Sequence, residues 1–415
     1  MDRKVLVIGS GAREHALVHA LRTSEARVWA SPGNGGISEE AEIVDAGSWQ
    51  EIRDRFADTR PLVVIGPEVP LAEGWSDGLR EAGIPVVGPS QAAARLESSK
   101  RMAKEIMQRY HIPAARSRTA HSPQELAEWI RQESRWPKVF KQSRLAAGKG
   151  VVVVPNQQAA KTLLTRWAGL DAVWQDGVLY EDFLEGTELS VQVVTNGRDY
   201  RWLPVAQDYK RLTPDPESPN TGGMGAVAPA LHLPVGMTET INRQVFDPIM
   251  QFLQDERLTY RGVLYAGLMM TADGPYVLEY NVRLGDPETE AIVPVLDLDW
   301  VEFWSQVAAG EVPSIPEPSR SAVAVVMAAH GYPDSPKTGM PIHLGSAQSN
   351  TLVFHAGTRR NEDDWESQGG RVLTVVGLGS TIDEARSHAY ERIRHIDFPD
   401  SYYREDIGIR STVQG

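Results

Sequence analysis

The sequence predicts an α/β protein in which an N-terminal parallel sheet precedes antiparallel strand pairs and a smaller C-terminal domain. About the first 90 residues alternate short apolar runs with helical patterns, and this alternation is typical of a parallel sheet with crossover helices. Two later segments carry Asn-Gly or Asp-Gly between apolar runs, which predicts β-hairpins. From about residue 321 the chain changes to short strands and one late helix, which indicates a separate C-terminal domain.

The N-terminal strands end in loops that are candidates for ligand binding. The run KVLVIG is typical of a buried strand, and AREHALVHALRTS of the helix after it. PLVVIGPEVPL and IPVVGPS are two more strand-then-turn units. In such sheets ligands bind at the carboxyl ends of the strands. The candidate binding loops are therefore Gly9–Arg13, Ser31–Gly36 and Gly66–Leu71.

The turn GSGAREH matches a dinucleotide-binding fingerprint only in part. Gly9 and Gly11 fit its first two glycines, but Glu14 stands in the third place. In addition, no acidic residue ends a second strand about 20 residues further on. We interpret the segment as a tight strand-to-helix turn, whose free N–H groups could still hold an anion.

The central part begins with a charged helix, QAAARLESSKRMAKEIMQRY, and a predicted hinge at HIPAARSRTA. A compact α/β stretch follows over Pro123–Asp182, and it contains the glycine loop KVFKQSRLAAGKGVVVV. This loop is not a P-loop, because Gly150 rather than Ser or Thr follows Lys149, and Ser143 replaces the required Gly. It is a candidate phosphate-binding loop of another class.

Two hairpins and a long loop follow the glycine loop. The first hairpin is predicted to turn at Asn196-Gly197 and the second at Asp273-Gly274. Between them, LTPDPESPNTGGMGAVAPA contains too much Pro and Gly for regular structure. Long ordered loops inside compact domains are usually functional. In the C-terminal domain the late helix is predicted over Asp383–His395.

Composition excludes several classes of function. The 415 residues carry a formal net charge of −13, which argues against DNA or RNA as a partner but is compatible with a local basic pocket for small anions. The absence of cysteine excludes disulfides, thiolate nucleophiles and Cys-zinc sites. No apolar run approaches about 18 residues, and the N-terminus has no stretch of signal-peptide length. We expect a cytoplasmic protein with no membrane or nucleic-acid partner.

The segment VLEYNVRLGDPETE carries the clearest chemical signal. Along a strand, residues two apart share a face. One face is therefore predicted to carry Glu279, Asn281 and Arg283, and the other Leu278, Tyr280 and Val282. A carboxylate and an amide oxygen are ligands that suit Mg²⁺, and a guanidinium can bind a carboxylate or phosphate bidentately. The alternative interpretation is a solvated strand face.

Lysines and acidic residues elsewhere extend this signal. Lys141 ends the strand before the glycine loop, and Lys100 and Lys104 share one helix face. Glu185 and Glu188 lie on either side of a turn in DFLEGTELS. Each lysine taken alone is typical of a protein surface. Together with a metal site and a glycine flap, the lysines predict a phosphate cradle.

In these motifs the chain resembles the glycinamide ribonucleotide synthetases, or phosphoribosylamine–glycine ligases, of the ATP-grasp superfamily. The motifs that carry the resemblance are GSGAREHAL, PGNGG, GPEVPL, LESSKRMAKEIM, LAAGKGV, EDFLEGTE, QDYKR, PNTGGMGA, YAGLMM, EYNVRLGDPETE, FHAGT, GGRVL and DIGIR. The resemblance implies an ATP-grasp fold with three parts. These are an N-terminal parallel α/β domain (1–103), an ATP-grasp domain (104–320) with a small mobile lid at about 122–186, and a C-terminal mixed α/β domain (321–415).

The resemblance also implies where ATP and metal bind. The implied ATP ligands are the phosphate lysines Lys104 and Lys141, the flap residues Gly148, Lys149 and Gly150, the backbone around Glu181, Phe183 and Leu184 at the adenine, and Glu188 at the ribose. Glu279 and Asn281 would bind Mg²⁺, with Mn²⁺ as an alternative. The family reaction joins glycine to 5-phosphoribosylamine through glycyl phosphate, in de novo purine biosynthesis, and converts ATP to ADP and phosphate.

The substrate roles are hypotheses within that resemblance. Arg283 would hold the glycine carboxylate or the acyl phosphate, Asp286 the glycine ammonium, and Lys210 is the third catalytic candidate. The residues expected at glycine or phosphoribosylamine are Gly11, Arg13, Asn34, Glu68, Asp208, Asn220, Thr221, Gly222 and Gly223. The loop Asn220–Gly225 would close over the reacting groups. We expect small-molecule substrates and a monomer or weak homodimer.

The chain departs from the family pattern at four places. Gln142-Ser143-Arg144 stands where the family has Ala-Asp-Gly. Ala12 replaces a usual Gly, Ala114 a usual Thr, and Glu405 a common Arg. None of these changes removes a proposed metal ligand or phosphate lysine.

Other functions are also compatible with this sequence. A paralogous ligase could join another amino acid or amine by the same chemistry, because one methylene changes recognition by only about 1–3 kcal/mol. A catalytically silent nucleotide-binding protein is a second alternative, against which the intact Glu279, Asn281, Lys104 and Lys141 count. A carboxylase of the same superfamily is a third, but the chain carries no biotin- or bicarbonate-specific signature.

Overall fold

The computed structural model describes residues 3–144, 150–215, 217–230, 233–361 and 364–409. The N-terminal elements are β1 (Lys4–Gly9), α1 (Ala12–Thr23), β2 (Arg27–Pro32), α2 (Ile37–Glu40), β3 (Glu42–Ile43), α3 (Trp49–Arg55), β4 (Leu62–Ile65), α4 (Glu68–Ala72), α5 (Trp75–Glu81), β5 (Val86–Val87), α6 (Gln91–Ser98) and α7 (Lys100–Arg109). The strands form one sheet in the order β3-β2-β1-β4-β5, and every pairing is parallel. The predicted parallel sheet is therefore confirmed.

The central strand β1 shows why this sheet needs cover on both faces. Val5 and Val7 pack into one hydrophobic core with α1, whereas Leu6 and Ile8 pack into a second core on the opposite face. A strand buried on both sides is a continuous apolar run rather than an alternating one. The run KVLVIG has this character, so its parallel pairing follows from the sequence.

The lid elements form a small antiparallel sheet with a core of its own. They are β6 (Ser117–Ala120), α8 (Pro123–Gln132), β7 (Lys138–Gln142), β8 (Val151–Val154), α9 (Gln157–Ala168), α10 (Asp171–Trp174) and β9 (Val178–Asp182). The strand order is β6-β9-β7-β8, and Phe140, Trp167 and Tyr180 are buried against it. The predicted flap residues Gly148 and Lys149 lie between β7 and β8, outside the described residues.

The central part contains the two predicted hairpins. Its elements are β10 (Thr187–Thr195), β11 (Tyr200–Trp202), β12 (Gln207–Asp208), β13 (Gly225–Ala228), α11 (Met237–Ile241), a π-helical turn (Asn242–Phe246), α12 (Asp247–Asp255), β14 (Gly262–Thr271), β15 (Gly274–Asn281), α13 (Glu288–Ile292), a 3₁₀ turn (Val293–Val295) and α14 (Trp300–Ala309). Strands β11, β10, β14 and β15 form an antiparallel sheet in that order.

Both hairpins are confirmed, with one shift. Thr195 pairs with Tyr200, so the first loop contains the predicted Asn196-Gly197. In the second hairpin Thr271 pairs with Gly274. The turn is therefore made by residues 272–273, one position before the predicted pair, and Gly274 begins the return strand with a φ of +119°.

The C-terminal elements form two further sheets. They are β16 (Ser321–Ala328), β17 (Pro341–Ile342), β18 (Thr351–His355), β19 (Thr358–Asn361), β20 (Asp364–Ser367), β21 (Arg371–Gly379) and α15 (Ile382–Arg394). The larger sheet has the order β12-β13-β16-β21-β18, and the smaller one β17-β20-β19. Helix α15 lies within one residue of its predicted bounds.

The larger C-terminal sheet contains two strands that precede residue 321. β13 pairs antiparallel with β16, and β12 pairs with β13. The segment 207–228 therefore joins the central part to the C-terminal sheet. The prediction that the stretch 212–230 lacks regular structure is wrong at Gly225–Ala228, because these residues pair with β16 as strand β13. The domain bounds at 103 and 320 stay predictions. Among the described residues, none of the helices combines the length and apolar character that crossing a bilayer requires.

Candidate active site

Strand β15 presents a polar face beside the core, but its alternation is not regular. Tyr280 and Val282 are buried in the core, as predicted. Leu278 is only partly buried, because a β-bulge in the pairing with β14 inserts it between the partners of Gly267 and Leu268. The prediction that Leu278 packs with Tyr280 and Val282 is therefore wrong, since bulges break the two-residue period.

Glu279 is the carboxylate at this end of β15. Its Oε1 lies 3.6 Å from Lys210 Nζ, which also lies 3.8 Å from Glu188 Oε2. Burial raises the pKa of Glu279, but the charges of Lys210, Lys100 and Lys141 outweigh it and bring this pKa to about 2. The carboxylate is therefore ionised at neutral pH and surrounded by cations.

Arg283 connects β15 to the N-terminal part. Its Nη2 lies 2.8 Å from Glu97 Oε1 and donates to Asn281 Oδ1 at 3.3 Å. Its Nε lies 3.4 Å from Glu68 Oε2. Glu97 also accepts a hydrogen bond of 2.8 Å from the Val282 amide. These contacts fix the plane of the guanidinium between α4, α6 and β15.

Lys104 and Lys141, the predicted phosphate ligands, converge on one carboxylate. The Nζ atoms of these lysines lie 3.2 Å and 3.0 Å from the two carboxylate oxygens of Glu181. Lys141 also donates to the Leu278 carbonyl at 2.9 Å. Burial lowers the pKa of Lys104 to about 8, although the charge of Glu181 opposes this shift. The structure thus brings the two lysines together from α7 and the lid, against β15.

The segment predicted at the adenine follows the lid strand β9. Phe183 and Leu184 are half-buried there, and Glu188 lies at the start of β10 with 41% of its side chain exposed. Between Leu184 and Glu188 the chain passes very close to β14, since a Cβ at Gly186 would lie 2.2 Å from the Met270 carbonyl oxygen. This close approach fixes the course of the segment.

The loop predicted to cover the reactants is anchored to the residue that neutralises Glu279. Both the amide and the hydroxyl of Thr221 donate to the Lys210 carbonyl, at 2.7 Å and 2.9 Å. The Gly223 amide donates to Thr221 Oγ1 at 3.0 Å, and the Gly222 amide donates to the Tyr332 hydroxyl at 3.0 Å. Asn220 forms an isolated bridge with Arg211. Hydrogen bonds therefore hold the loop to Lys210 and to Tyr332, and its closure over the reactants stays a prediction.

Asp286 lies where three parts of the chain meet. Its Oδ1 is 3.0 Å from Arg371 Nη2 of β21. Arg371 Nη1 donates to the carbonyls of Gly222 and Asp286, at 2.6 Å and 3.0 Å. A Cβ at Gly11 would lie 3.3 Å from Asp286 Oδ2. The N-terminal turn, the covering loop and the C-terminal sheet thus all border Asp286.

The N-terminal turn differs from its predicted state. The Gly11 amide donates to Glu14 Oε2, and Arg13 Nε donates to Glu14 Oε1, both at 2.6 Å. The carboxylate of Glu14 therefore occupies the turn, and the prediction that its N–H groups are free to hold an anion is wrong at Gly11. Because Glu14 is 1% exposed, this arrangement is part of the packed structure.

Asn34 lies beside this turn, but its carboxamide serves the protein. Its Nδ2 donates to the carbonyls of Ser10 and His355, at 2.9 Å and 2.6 Å. Its Oδ1 accepts from the Ile37 amide at 2.9 Å. The side chain thus shapes the loop PGNGG, and contact with a substrate stays a prediction.

Three residues at the site were not predicted from the sequence: Glu97, Arg371 and Glu288. Glu97 pairs with Arg283; its position three and four residues after Ala94 and Ala93, on the buried side of α6, was the available signal. Arg371 lies in the motif GGRVL, but no local pattern indicates its partner, because it reaches Asp286 from the first residue of a distant strand. Glu288 is 2% exposed.

Glu288 and Asp208 are two interacting carboxyl groups next to Gly223, where a Cβ would lie 2.9 Å from Asp208 Oδ1. Burial and the charge of Glu288 raise the pKa of Asp208 well above its usual range. Within the described residues, one carboxylate oxygen of each residue is buried without a hydrogen-bond donor. A buried acid without a donor is costly, so these oxygens are candidates to accept N–H groups from an amine substrate.

Within the part of the chain that the structure describes, the candidate metal ligands of the site are the two residues Glu279 and Asn281. Among the described residues, no group of three or more His, Cys, Asp or Glu side chains is arranged to hold a metal ion. Glu279 and Asn281 instead offer two hard oxygens on one strand, beside lysines that suit phosphates. This arrangement fits Mg²⁺, which commonly keeps phosphate and water oxygens among its ligands.

The chain is similar to one family of known proteins over nearly its whole length. Sequence models of one family match consecutive parts of the chain: phosphoribosylglycinamide synthetase N domain (3–97), ATP-grasp (A) domain (98–289) and C domain (322–410). The phosphoribosylamine–glycine ligases of Caldanaerobacter subterraneus and Halalkalibacterium halodurans are 38% and 39% identical to it. These matches cover 97% and 99% of this chain, and 99% and 97% of the relatives.

Solved structures show the same likeness. The phosphoribosylamine–glycine ligase of Thermotoga maritima matches with a TM-score of 0.85 at 37% identity, over 97% of this chain and 100% of that one. The biotin carboxylase domain of Hydrogenobacter thermophilus 2-oxoglutarate carboxylase, in complex with magnesium ADP, matches with a TM-score of 0.73 at 16% identity, over 97% and 91% of the two chains. At that identity the likeness concerns the fold alone. Together the matches confirm the predicted ATP-grasp fold.

Proposed function

Because the chain belongs to the phosphoribosylglycinamide synthetase family, it is an ATP-dependent ligase that joins glycine to 5-phosphoribosylamine in purine biosynthesis, and we propose that the reaction occurs where β15, the lid and the loop after β12 meet. Glycine, phosphoribosylamine and ATP are its small-molecule substrates. The residue roles that follow extend this family function to the side chains of this chain.

Glu279 and Asn281 would hold the magnesium ion of the nucleotide. The Glu279 carboxylate is ionised, since its pKa is about 2. Asn281 Oδ1 accepts one long hydrogen bond, from Arg283 at 3.3 Å, and keeps a second lone pair. When bound, Mg²⁺ would offset part of the charge on the phosphates of ATP. Mn²⁺, which also takes oxygen ligands, is the alternative ion.

Three lysines would bind the phosphates and stabilise charge during transfer. Lys104 and Lys141 are held together by Glu181, and Lys210 is held beside Glu279. Their ammonium groups stand in a partly buried site, where charge–charge interactions are stronger than in water. Backbone groups of residues 181–184 would receive the adenine, and Glu188 would accept hydrogen bonds from the ribose hydroxyls.

The chemistry follows from the weakness of a carboxylate as an electrophile. A glycine carboxylate oxygen attacks the γ-phosphorus, the bond from that phosphorus to the β,γ-bridging oxygen breaks, and ADP leaves. The amine nitrogen of phosphoribosylamine then attacks the acyl carbon, phosphate leaves, and the nitrogen loses a proton. The work of the protein is alignment, charge stabilisation and exclusion of water from the acyl phosphate.

The substrates would be held by the groups around Asp286. Arg283, whose plane is fixed by Glu97, would bind the glycine carboxylate and then the acyl phosphate. Asp286 would accept hydrogen bonds from the glycine ammonium, and the covering loop 220–225 would exclude water. Gly11, Arg13, Asn34 and Glu68 would border the phosphoribosylamine, and Asp208 would face the reacting amine.

The observation that supports this placement best is the ionised Glu279 beside Lys210, on the strand that also contacts Lys141. The test is an ADP-release assay with ATP, Mg²⁺, glycine and freshly generated phosphoribosylamine, omitting one component at a time. Glu279→Gln should lower turnover by at least about a hundredfold and raise the Mg²⁺ concentration for half-maximal rate, because a charged ligand is lost.

The matched control is Glu239→Gln, which changes an exposed glutamate on α11 and should leave both quantities near those of the parent. A Glu279→Gln variant that keeps its turnover and its Mg²⁺ dependence would remove the basis for the proposed metal site. An ADP signal that does not depend on glycine would argue against the assignment of substrates to this cleft.

A further inference from the structure

A carboxylate of the lid reaches the first turn of α7. Asp176 lies between α10 and β9, and 23% of its side chain is exposed. Its Oδ2 accepts hydrogen bonds of 2.6 Å from the hydroxyls of both Ser99 and Ser143. Its Oδ1 accepts one of 3.1 Å from Arg101 Nε. One carboxylate therefore joins the lid to the helix that carries Lys104.

The two serines transmit this contact to the helix backbone. The Arg101 amide donates to Ser143 Oγ at 2.9 Å, and the Met102 amide donates to Ser99 Oγ at 3.3 Å. Both amides belong to the N-terminal turn of α7, where a negative charge is favourable. The helix itself has no acidic residue in this turn and begins with Lys100 and Arg101. The lid thus supplies the charge that the helix lacks.

Backbone contacts and charge strengthen the same junction. The Lys100 amide donates to the Ser143 carbonyl at 2.9 Å, and the Ser143 amide donates to the Gly177 carbonyl at 3.1 Å. Burial raises the pKa of Asp176, but hydrogen bonds from Ser143, Ser99 and Arg101 outweigh it and lower this pKa below its usual range. The acceptor is therefore a carboxylate at neutral pH, and hydrogen bonds to it are about twice as strong as neutral ones.

We propose that Asp176 is a positioning residue for ATP, which acts through Ser143 and Arg101 to hold Lys104 and Lys141 at a fixed separation. This inference rests on the proposed function. Lys141 lies two residues before Ser143 on β7, and Lys104 lies three residues after Arg101 on α7. Because Asp176 joins the ends of these two elements, its loss lets α7 turn against β7 and separates the two ammonium groups.

The test measures binding of Mg–ATP by titration calorimetry, together with steady-state KM for ATP, KM for glycine and kcat. Asp176→Asn keeps the size of the side chain and removes its charge. It should weaken ATP binding and raise KM for ATP about tenfold, which corresponds to about 1.4 kcal/mol. The KM for glycine should stay within about twofold, because the residues proposed to hold glycine are not touched.

A second pair of variants separates positioning from simple loss of stability. Ser143→Asp alone places two carboxylates together and should also weaken ATP binding. The double variant Ser143→Asp with Asp176→Ser exchanges the hydroxyl and the carboxylate between the two positions, so that a hydroxyl–carboxylate hydrogen bond can form again. It should return ATP binding to within about threefold of the parent. Asp171→Asn, an exposed aspartate on the same lid, is the control and should change nothing.

Two results would overturn the proposal. One is an Asp176→Asn variant that binds ATP within about twofold of the parent. The other is a double variant that binds no better than either single variant. Because nucleotide binding is measured without glycine or amine, a parent that binds ATP but forms no ligation product would count against the proposed function alone.

Hydrogen exchange tests the role of Asp176 even if the parent protein binds no ATP. The amides of Arg101 and Met102 should exchange at least about tenfold faster in Asp176→Asn than in the parent, because each depends on a serine held by this carboxylate. Unchanged exchange at both amides would overturn the proposal in the same way as unchanged ATP binding.

Discussion

Lys104 titrates close to neutral pH, because burial lowers its pKa to about 8. Its ammonium is present below that pH and is lost above it. If this charge binds ATP phosphates, KM for ATP should rise about tenfold between pH 7 and pH 9, which is the ratio of the protonated fractions at those values. Lys104→Arg keeps its charge at both pH values and should flatten the profile.

The measurement is a series of ATP titrations at fixed glycine and amine across this pH range. Lys161→Arg, on the exposed side of α9, is the matched control and should keep the slope of the parent. A parent profile that stays flat to pH 9 would contradict a phosphate ligand Lys104 with a pKa near 8, and so would a Lys104→Arg variant with an unchanged slope.

Arg283 is the residue at which a conservative change should matter most for glycine. Lysine cannot reproduce the planar fork that contacts Glu97, Glu68 and Asn281 at once. At saturating ATP, Arg283→Lys should lower kcat/KM for glycine more than tenfold, a loss of about 1.4 kcal/mol or more. Arg201→Lys, an exposed arginine on β11, is the control. A loss within about threefold would remove Arg283 from the carboxylate site.

At the scale of elements, the connection from β9 to β10 is fixed by close approach rather than by its own hydrogen bonds. A Cβ at Gly186 would lie 2.2 Å from the Met270 carbonyl oxygen, so Gly186→Ala must displace the connection from β14. We expect a loss of about 1–3 kcal/mol in the free energy of unfolding, together with a raised KM for ATP, since the adenine segment moves.

Gly169→Ala is the matched control, because a Cβ there meets no atom within 4 Å. Thermal unfolding and an ATP titration measure the two effects. If Gly186→Ala loses stability without any change in KM for ATP, residues 183–188 do not contact the nucleotide as proposed.

The hairpins were predictable because their signals are local. Asn196 and Asp273 mark the turns, and the runs on either side are apolar. The bulge at Leu278 was not predictable, because it depends on the register of pairing with β14, which cannot be deduced from the sequence. The pairing of β13 with β16 depends in the same way on segments nearly 100 residues apart.

The candidate site likewise contains features that the sequence predicts and contacts that it does not. The face shared by Glu279, Asn281 and Arg283 follows from the two-residue period of a strand, and the structure keeps the contact of Asn281 with Arg283. The partners of these residues, such as Glu97 and Arg371, come from other parts of the chain. Long-range ion pairs leave no periodic signal, so only the folded chain identifies them.

At the scale of the whole molecule, the site depends on three parts of the chain holding together. Arg371 of the C-terminal sheet pairs with Asp286, and Glu97 of the N-terminal part pairs with Arg283. The lid contributes Lys141. Because these contacts cross between parts, conditions that loosen one part should also disturb the site. A residue at the junction of the N-terminal and C-terminal parts should therefore affect the free energy of unfolding of the whole protein.

A buried histidine lies at that junction. His355 of β18 is 4% exposed, and its amide donates to His15 Nδ1 of α1 at 2.8 Å. Its ring lies against Trp365, with ring centroids 4.5 Å apart. Burial lowers the pKa of His355 from 6.5 to about 3. The folded protein therefore keeps this ring neutral where the unfolded chain is protonated.

Between pH 6.5 and pH 3 the unfolded chain binds a proton at His355 that the folded chain does not, so stability falls as the pH falls. At pH 5 this one group should cost about 2 kcal/mol relative to pH 7. Denaturant titrations at both pH values should show a smaller difference for His355→Gln, whereas His330→Gln, at an exposed site, should keep the full difference. An unchanged difference in His355→Gln would mean that His355 can be protonated in the folded protein. This histidine would then not be the cause of the lower stability at pH 5.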